Sequence, residues 1–364
     1  MLKKTVENWF TKLKSRFFFY KDGFFEVPYL DNSPQTAIES MGRMPFTKHD
    51  KKNRVIKAIK NHPFVNGALH YQEVEEGLWL VLVDIRFKKN IHLNPIIDER
   101  LSSDYYTLAF QINKMPFESN KPAVEGGLTY DYEAWALIKP GKTMQVSYFK
   151  NTNGLFYIIF FDGQWFEKNV LSTEALKNSE LNAFLASNQN YIIWPKIETD
   201  TEPSFDAIWN CIQQKGNQGA ANPIELKIHT LKLIYSFLIQ LSDKEKQTHY
   251  FHIKDFDRKI VLQAERIIIE HLLTEFPRIE DIAKRLHISP SKLKNLFKTN
   301  FGMPMYQYYL SKKMAYAKEL LSQDTILIKD IAHYVGYENV SKFSATFKKH
   351  HGYLPSNIHQ QKKH

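Results

Sequence analysis

The stretch from Ile279 to Pro355 states one pattern twice, and that repetition constrains the chain more than any other feature. Ile282-Ala283 recurs as Ile331-Ala332, Phe297-Lys298 as Phe347-Lys348, Gly302 as Gly352 and Pro304 as Pro355. The offset grows from 49 to 51 residues, so the copies differ by single-residue insertions. An internal repeat of this kind sets the architecture before any single element does. Each copy predicts two short helices around a tight turn. In the first, Ile282, Ala283 and Leu286 sit at helical spacing until His287-Ile288-Ser289-Pro290 breaks the pattern. Ser289 is a suitable N-cap and Pro290 suits the first helical position. Leu293, Leu296 and Phe297 then form an apolar stripe, with Ser291, Lys292, Lys294, Asn295 and Lys298 on the other face and Gly302 as the stop. In the second, Ile328, Ile331, Ala332 and Val335 precede Gly336-Tyr337-Glu338-Asn339. Val340, Phe343 and Phe347 then face inward, with Ser341, Lys342, Ser344 and Lys348 outward. Small residues at Ala283 and Ala332 let paired helices cross closely. The pattern is a helix-turn-helix, whose second helix enters the major groove of DNA.

These residues resemble the AraC/XylS transcription regulators. The likeness runs from Asp257 to Gln361 and rests on Ile282-Ala283, Leu293, Leu296-Phe297-Lys298, Gly302-Met303-Pro304, Ala317 and Leu320-Leu321 in and after the first copy. In the second it rests on Ile331-Ala332, Gly336-Tyr337, Phe343, Phe347-Lys348, Gly352 and Leu354-Pro355-Ser356. A long helix predicted from Met305 to Ser322 joins the copies. Lys313 stands where the family usually carries Arg, His359 where an Arg often follows the final Pro-Ser, and Ala345 where many members have a polar residue. The resemblance implies base-reading positions at Ser291, Lys294 and Asn295, and at Ser341, Lys342 and Ala345. Side-chain chemistry agrees for the first set, since Lys suits guanine acceptors and Asn suits adenine. Lys298 and Lys348 are assigned to phosphate, which positions without specifying. Lys292 and Ser344 complete the candidate DNA-contacting set. The resemblance further implies a cupin-type ligand-binding barrel, a small-molecule effector and a double-stranded operator. RNA polymerase enters as a candidate partner, and activation and repression both stay open.

Charge is distributed unevenly. The chain carries a formal +10, and Arg278 to Lys363 holds 15 Lys/Arg against 6 Asp/Glu, so nearly all the excess lies in the repeat. Basic charge gathered on one small domain is the footprint of nucleic-acid binding. One cysteine, Cys211, excludes a disulfide framework and a cysteine-rich zinc site. No apolar run reaches the roughly 18 residues of a membrane span, and the basic start is too weakly apolar for a signal peptide. A cytoplasmic protein without a membrane partner is expected.

A length of 364 residues suggests more than one domain. The expected fold class is α+β: a β-barrel or sandwich over 1–200, a helical dimerisation segment and linker over 201–254, and an all-α DNA-binding domain over 255–364. Trp9, Leu13 and Phe17 predict a short amphipathic helix. Asp22 to Asn66 reads as irregular, with Pro28, Pro34 and Pro45, and Val55 to Lys60 as a short helix. Leu78 to Ile85, Tyr105 to Ile112, Ala134 to Ile138, Met144 to Phe149, Leu155 to Phe161 and Tyr191 to Trp194 read as short strands separated by turns. Ser204 to Gln214 predicts a helix, and Gln214 to Asn222 a loop. Pro223 opens a strong helix with a stripe of Ile224, Ile228, Leu231, Ile234, Leu238 and Leu241, spaced for helix–helix packing either as the seam of a homodimer or against its own β domain. Ser242 to Lys254 reads as a linker, and Arg258 to Leu273 as the first helix of the DNA-binding domain.

The strand region offers aromatics rather than catalytic groups. Tyr106, Trp135, Tyr148 and Tyr157 are candidates to stack on an apolar or sugar-like effector. His70 and His92 are isolated, so no metal or cofactor is expected. The expected function is a sequence-specific regulator controlled by that effector. A constitutive binder whose β domain only oligomerises is the alternative. A cupin-type enzyme is a weaker one, and a methyl-accepting repair protein lacks the cysteines it needs.

Overall fold

The computed structural model describes residues 7, 9, 17–21, 23–116, 129–172, 180–195, 202–218, 223–242, 255–301, 303–322 and 327–361. The described residues up to 242 belong to one unit and those from 255 to a second.

Alternating side chains build the first unit. Four strands, β1 (Phe19–Lys21), β2 (Phe24–Leu30), β7 (Ile91–Ile96) and β10 (Val146–Tyr148), form a small sheet in the order β1-β2-β7-β10. The larger sheet has the order β12-β9-β8-β11-β6-β5-β4-β3. Its strands are β3 (Thr47–Asp50), β4 (Val55–Ala58), β5 (Val65–Glu75), β6 (Leu78–Phe87), β8 (Tyr105–Pro116), β9 (Thr129–Ile138), β11 (Asn153–Asp162) and β12 (Tyr191–Pro195). Its neighbours all pair antiparallel, whereas β2 and β7 run parallel. A parallel pair needs a long crossover, and here the whole β3–β6 meander supplies it.

Successive residues of a strand point to opposite faces, so the larger sheet has two distinct faces. Leu78, Leu80 and Leu82 of β6, Leu108 and Phe110 of β8, Trp135 and Leu137 of β9, and Tyr157, Ile159 and Phe161 of β11 form one buried cluster. Helices cover this face: α3 (Glu180–Ala186), α4 (Glu202–Gln218) and α5 (Pro223–Ser242) bring Leu181, Phe205, Ile208, Leu226, Leu233 and Phe237 into the same cluster. Glu75 fastens the arrangement, accepting from Trp165 Nε1 at 2.8 Å and pairing with Lys227 Nζ at 2.6 Å. Trp165 lies in the short helix α2 (Gly163–Phe166), which Asp162 caps and which runs on as a π-helical turn over Glu167–Leu171.

Several expectations are corrected. Val55 to Ala58 is a strand rather than a helix, because β-branched Val55 and Ile56 are buried and pair with His70 and Leu69 of β5. Of the stretch expected to be irregular, the described residues from Gly23 on form strands and a helix. Ser33 and Thr36 close a capping box and Pro34 sits in the first turn of α1 (Pro34–Gly42), so that proline starts a helix instead of breaking one. The helix expected to end at Gln214 continues through Gln218. In α5, Ile234 is buried with Leu226, Leu233 and Phe237, while Ile228, Tyr235 and Ile239 are exposed. The apolar stripe read from sequence is therefore split between two faces. Its last member, Leu241, has a side chain outside the described residues. The amphipathic helix expected near the start lies largely outside them, although Trp9 is buried and edge-on to Phe17 at 6.1 Å. Linker residues 243–254 and Gly302 also lie outside.

Trp135 packs against Phe110, Phe205 and Phe237 at centroid distances of 4.7, 6.3 and 5.6 Å. Trp135→Ala is expected to destabilise the first unit by about 3–5 kcal/mol, the usual cost of emptying a large core aromatic. Chemical denaturation measures it, and a loss below about 1 kcal/mol would remove Trp135 from the core.

Candidate functional site

The second unit contains the repeat. Its helices are α6 (Asp255–Glu270), α7 (Ile279–Arg285), α8 (Pro290–Phe301), α9 (Met305–Ser322), α10 (Ile328–Tyr334), α11 (Val340–His351) and α12 (Pro355–Gln361). The two turns are built alike. In the first, Ile288 N donates to Ala283 O at 3.1 Å, and in the second Tyr337 N donates to Ala332 O at 2.8 Å. These six-to-one bonds close each leading helix over a left-handed residue, His287 at φ 55° and Gly336 at φ 86°. Glycine takes that conformation freely, whereas His287 takes it at a cost. The following helices are both capped by side chains. Ser289 Oγ accepts from Lys292 N at 3.2 Å, and Asn339 Oδ1 accepts from Ser341 N at 2.8 Å and Lys342 N at 3.1 Å.

Burial then orients the capped helices. Leu293 and Phe297 of α8, and Phe343 and Phe347 of α11, are all fully buried beside Ala283 and Ala332. Helical geometry turns the opposite side outward. Ser291, Lys294, Asn295 and Lys298 are exposed along one face of α8, and Ser341, Lys342, Ala345 and Lys348 along the corresponding face of α11. Two members of the expected set differ. Lys292 is exposed but lies 2.9 Å from Asp257 Oδ1 of α6, so it serves the domain's own packing as well. Ser344 is half-buried. At the end of α11, burial first, then His351 and Lys349, lower the pKa of His350, so it is a weaker helix-end cation than its position suggests.

The joining helix α9 holds both halves. Lys313 Nζ donates to Thr274 O at 3.0 Å and lies 4.6 Å from the Tyr309 ring centroid and 5.9 Å from that of Tyr337, which sits in the second turn. Tyr309 OH donates to the same Thr274 carbonyl at 2.5 Å. Lys313, the departure from the family's usual Arg, thus keeps a cation between two aromatic faces. Tyr308 hydrogen-bonds Glu265 of α6 and packs edge-on to Phe297 at 5.3 Å.

The first unit holds a partly open cavity of about 240 Å³ between its two sheets. Val83, Ile85 and Phe87 of β6 and Phe156, Ile158 and Phe160 of β11 line it, facing away from the helices. Of the four aromatics proposed from sequence, Tyr148 lines this cavity, stacked on Phe87 at 4.6 Å. Tyr106, Trp135 and Tyr157 lie on the other face of the sheet, in or against the helix-covered cluster. Tyr157 even donates to Phe205 O at 3.1 Å, and burial holds its phenol neutral. The reason is parity: each of the three is an odd number of residues from a cavity-facing neighbour on its own strand.

Residues that sequence reasoning missed supply the cavity's polarity. Asp31 lines it at the end of β2, and burial pushes its carboxyl up to about 7. Tyr29 also lines it, its phenol raised by burial first and then by Asp31 and Tyr148. His62 Nδ1 accepts from Phe64 N at 3.2 Å and Val65 N at 3.1 Å, and burial, with a smaller push from Lys88, lowers its pKa to about 4. Asp31 carried a faint signal, the acidic member of the Leu30-Asp31-Asn32-Ser33 run before the capped helix. Among the described residues no group of three His, Cys, Asp or Glu gathers as a metal site. No described helix is long and apolar enough to cross a membrane.

The family model described as a helix-turn-helix domain matches residues 282–361. The chain is 35% identical over 96 residues to the HTH-type transcriptional regulator YtdP of Bacillus subtilis, covering 26% of this chain and 12% of that protein. It is 40% identical over 72 residues to the lactose operon transcription activator of Staphylococcus xylosus, covering 20% and 26%. A crystal structure of a transcriptional regulator with an AraC-type DNA-binding domain, from Chromobacterium violaceum, aligns over 30% of this chain and 96% of that one, at 25% identity and a TM-score of 0.27. Fold and repeat define a helix-turn-helix protein. Residues 282–361 carry a helix-turn-helix domain of the AraC type. It spans about an eighth and a quarter of the two curated relatives named.

Asp31 makes stability pH-dependent. The unfolded carboxyl titrates near its ordinary 3.8 and the folded one near 7, so the folded state keeps the proton longer. The stability this gives is fully present below the unfolded value and is lost as pH rises through about 7, at up to about 1.4 kcal/mol per pH unit. Asp31→Asn removes that loss. Its melting-temperature advantage over the natural protein is expected to widen from about pH 4.5 to about pH 8 in calorimetry. A constant difference would show a solvated carboxylate.

Proposed function

We propose that the chain is a sequence-specific, DNA-binding transcription regulator whose N-terminal unit binds a small effector. One observation carries the DNA half: two turns with the same hydrogen bonds present two capped helices, each with its apolar side buried and its polar side exposed. Ser291, Lys294 and Asn295 of α8, and Ser341, Lys342 and Ala345 of α11, are the proposed base-reading positions, with Lys298 and Lys348 on phosphate. Residues 255–364 form the proposed DNA-binding domain, and the unit that includes α4 and α5 in its core forms the proposed effector domain. The effector reading is supported by the apolar cavity between the two sheets, an enclosure of the kind a cupin-like barrel offers. A constitutive binder would have no use for that space.

Lys294→Ala or Asn295→Ala is expected to weaken operator binding by about 1–3 kcal/mol and relax preference at one or two base pairs. Lys298→Ala should weaken all sequences alike. The two recognition helices should protect successive major-groove faces about 34 Å apart. Binding of randomised duplexes reads the first effect and footprinting the second. Unchanged affinity and base preference in both α8 variants would overturn the assignment.

Assembly as a homodimer is proposed on the exposed face of α5, where Ile228, Tyr235 and Ile239 recur at helical spacing. A second copy is the fitting occupant, because apolar side chains on both faces bury one another and a pair of chains doubles the DNA contacts. Ile228→Glu with Tyr235→Glu touches no buried residue and should yield a folded monomer in sedimentation at micromolar concentration. A natural chain that is already monomeric there removes the idea.

A further inference from the structure

The cavity's lining selects a ligand chemistry. Its walls are mostly aliphatic and aromatic, with Thr47, His62, Thr107 and Gln111 as further polar members, and among the described residues no lysine or arginine lines it. Asp31 contributes a carboxyl group to those walls. Among the described residues no side chain or backbone N–H donates to that carboxyl. Its position is fixed from both sides. Asp31 N donates to Ile96 O at 2.9 Å. The adjacent Asn32 is clamped to Asp98 O at 2.9 Å and Ser103 Oγ at 2.6 Å, and receives Asp98 N at 3.0 Å. These bonds fix the backbone from which the carboxyl projects. An acidic group held in an apolar enclosure without a countercharge is costly to ionise, and a partner must bring both the charge and the hydrogen bonds. Phe87 and Tyr148 stack at 4.6 Å, and Phe156 stands edge-on to Tyr148 at 5.2 Å, so aromatic rings stand in the same cavity. Ring faces attract a cation. An anionic ligand would meet the same-sign carboxylate, and a polyhydroxylated sugar would leave most of its hydroxyl groups against aliphatic walls.

We propose that the cavity takes a small apolar molecule bearing one protonated amine, with the ammonium nitrogen paired to the Asp31 carboxylate and the hydrocarbon body along the β6 and β11 walls. This rests on the effector reading and narrows it to hydrophobic amines. A cavity of 150 Å³ accommodates benzene, so 240 Å³ suits a body of about ten non-hydrogen atoms.

Matched probes test it. Titration calorimetry on the full chain compares 2-phenylethylamine with 2-phenylethanol and phenylacetate, and octylamine with octanol and octanoate, so that ring and chain shapes are both covered. The amine of at least one series should bind tenfold or more tighter than its alcohol, with the acid weakest. Asp31→Asn should abolish that preference while leaving the alcohol's affinity within about threefold, a variant whose melting curve first establishes that it is folded. If alcohol or acid binds as tightly as the amine, or if Asp31→Asn keeps the amine preference, the amine assignment is overturned while the cavity stands as an effector site. If no member of either series binds at millimolar concentration, the effector cavity itself falls, and the amine assignment falls with it.

Discussion

Side-chain alternation across the central strands of the larger sheet is the constraint on which the N-terminal unit depends. Leu80, Leu108, Trp135 and Tyr157 face the helices α3–α5, and Val81, Val83, Ile158 and Phe160 face the cavity. A shift of one residue in any of these strands would exchange the two sets. The helix-covered face is filled solidly, with Phe205 and Phe237 inserted among Phe110, Trp135 and Tyr157. Facing positions on the other side carry smaller residues, including Ala68, Ala109 and Ala136, so the second sheet encloses space rather than closing it. Core and cavity thus arise from one sheet, separated only by parity.

Separation by burial does the same work in the C-terminal unit at helical period. Phe297 and Phe347 occupy equivalent places in the two copies, and each commits its helix to one orientation. Exposed polar residues follow at the opposite side without further instruction. The left-handed turns set the angle at which each helix leaves its partner, and the Lys313–Thr274–Tyr309 cluster fixes the joining helix against them. A regulator that reads two groove segments from one chain needs such a rigid joint, because error in one helix position is transmitted to the other.

The proposed effector chemistry follows from one group in a place that gives it no partner. Ionisation of Asp31 costs the first unit stability as pH rises through about 7 and offers a ligand something to gain. Binding energy released by neutralising that charge is available only to a ligand that carries the countercharge. Control of DNA affinity further requires that the ligand prefer one conformation of the chain, since equal affinity for both shifts nothing.

Much of this protein was legible in its residues. The repeated Ile-Ala, Phe-Lys and Gly pattern, the Ser289 and Asn339 caps and the basic excess specified two helix-turn-helix units and their outward faces, because each signal is local and acts within a turn or two of helix. Most central strands were legible for the same reason. Pro34 was misread because a proline that opens a helix differs from one that breaks a strand only through the Ser33 cap beside it, and Val55-Ile56 because two residues cannot reveal a period. The cavity could not be read at all. Alternation told that Tyr106, Trp135 and Tyr157 share their strands' faces with other large residues, but not which face meets helices and which meets the second sheet. Long-range pairing of β2 with β7, and the packing of α4 and α5, decided that. Asp31 became a half-buried carboxyl lining a cavity only when residues more than sixty positions away closed around it. Local periodicity determined the elements and the exposed polar faces of the capped helices. Contacts distant in sequence decided where the hollow lies and which charge stands in it.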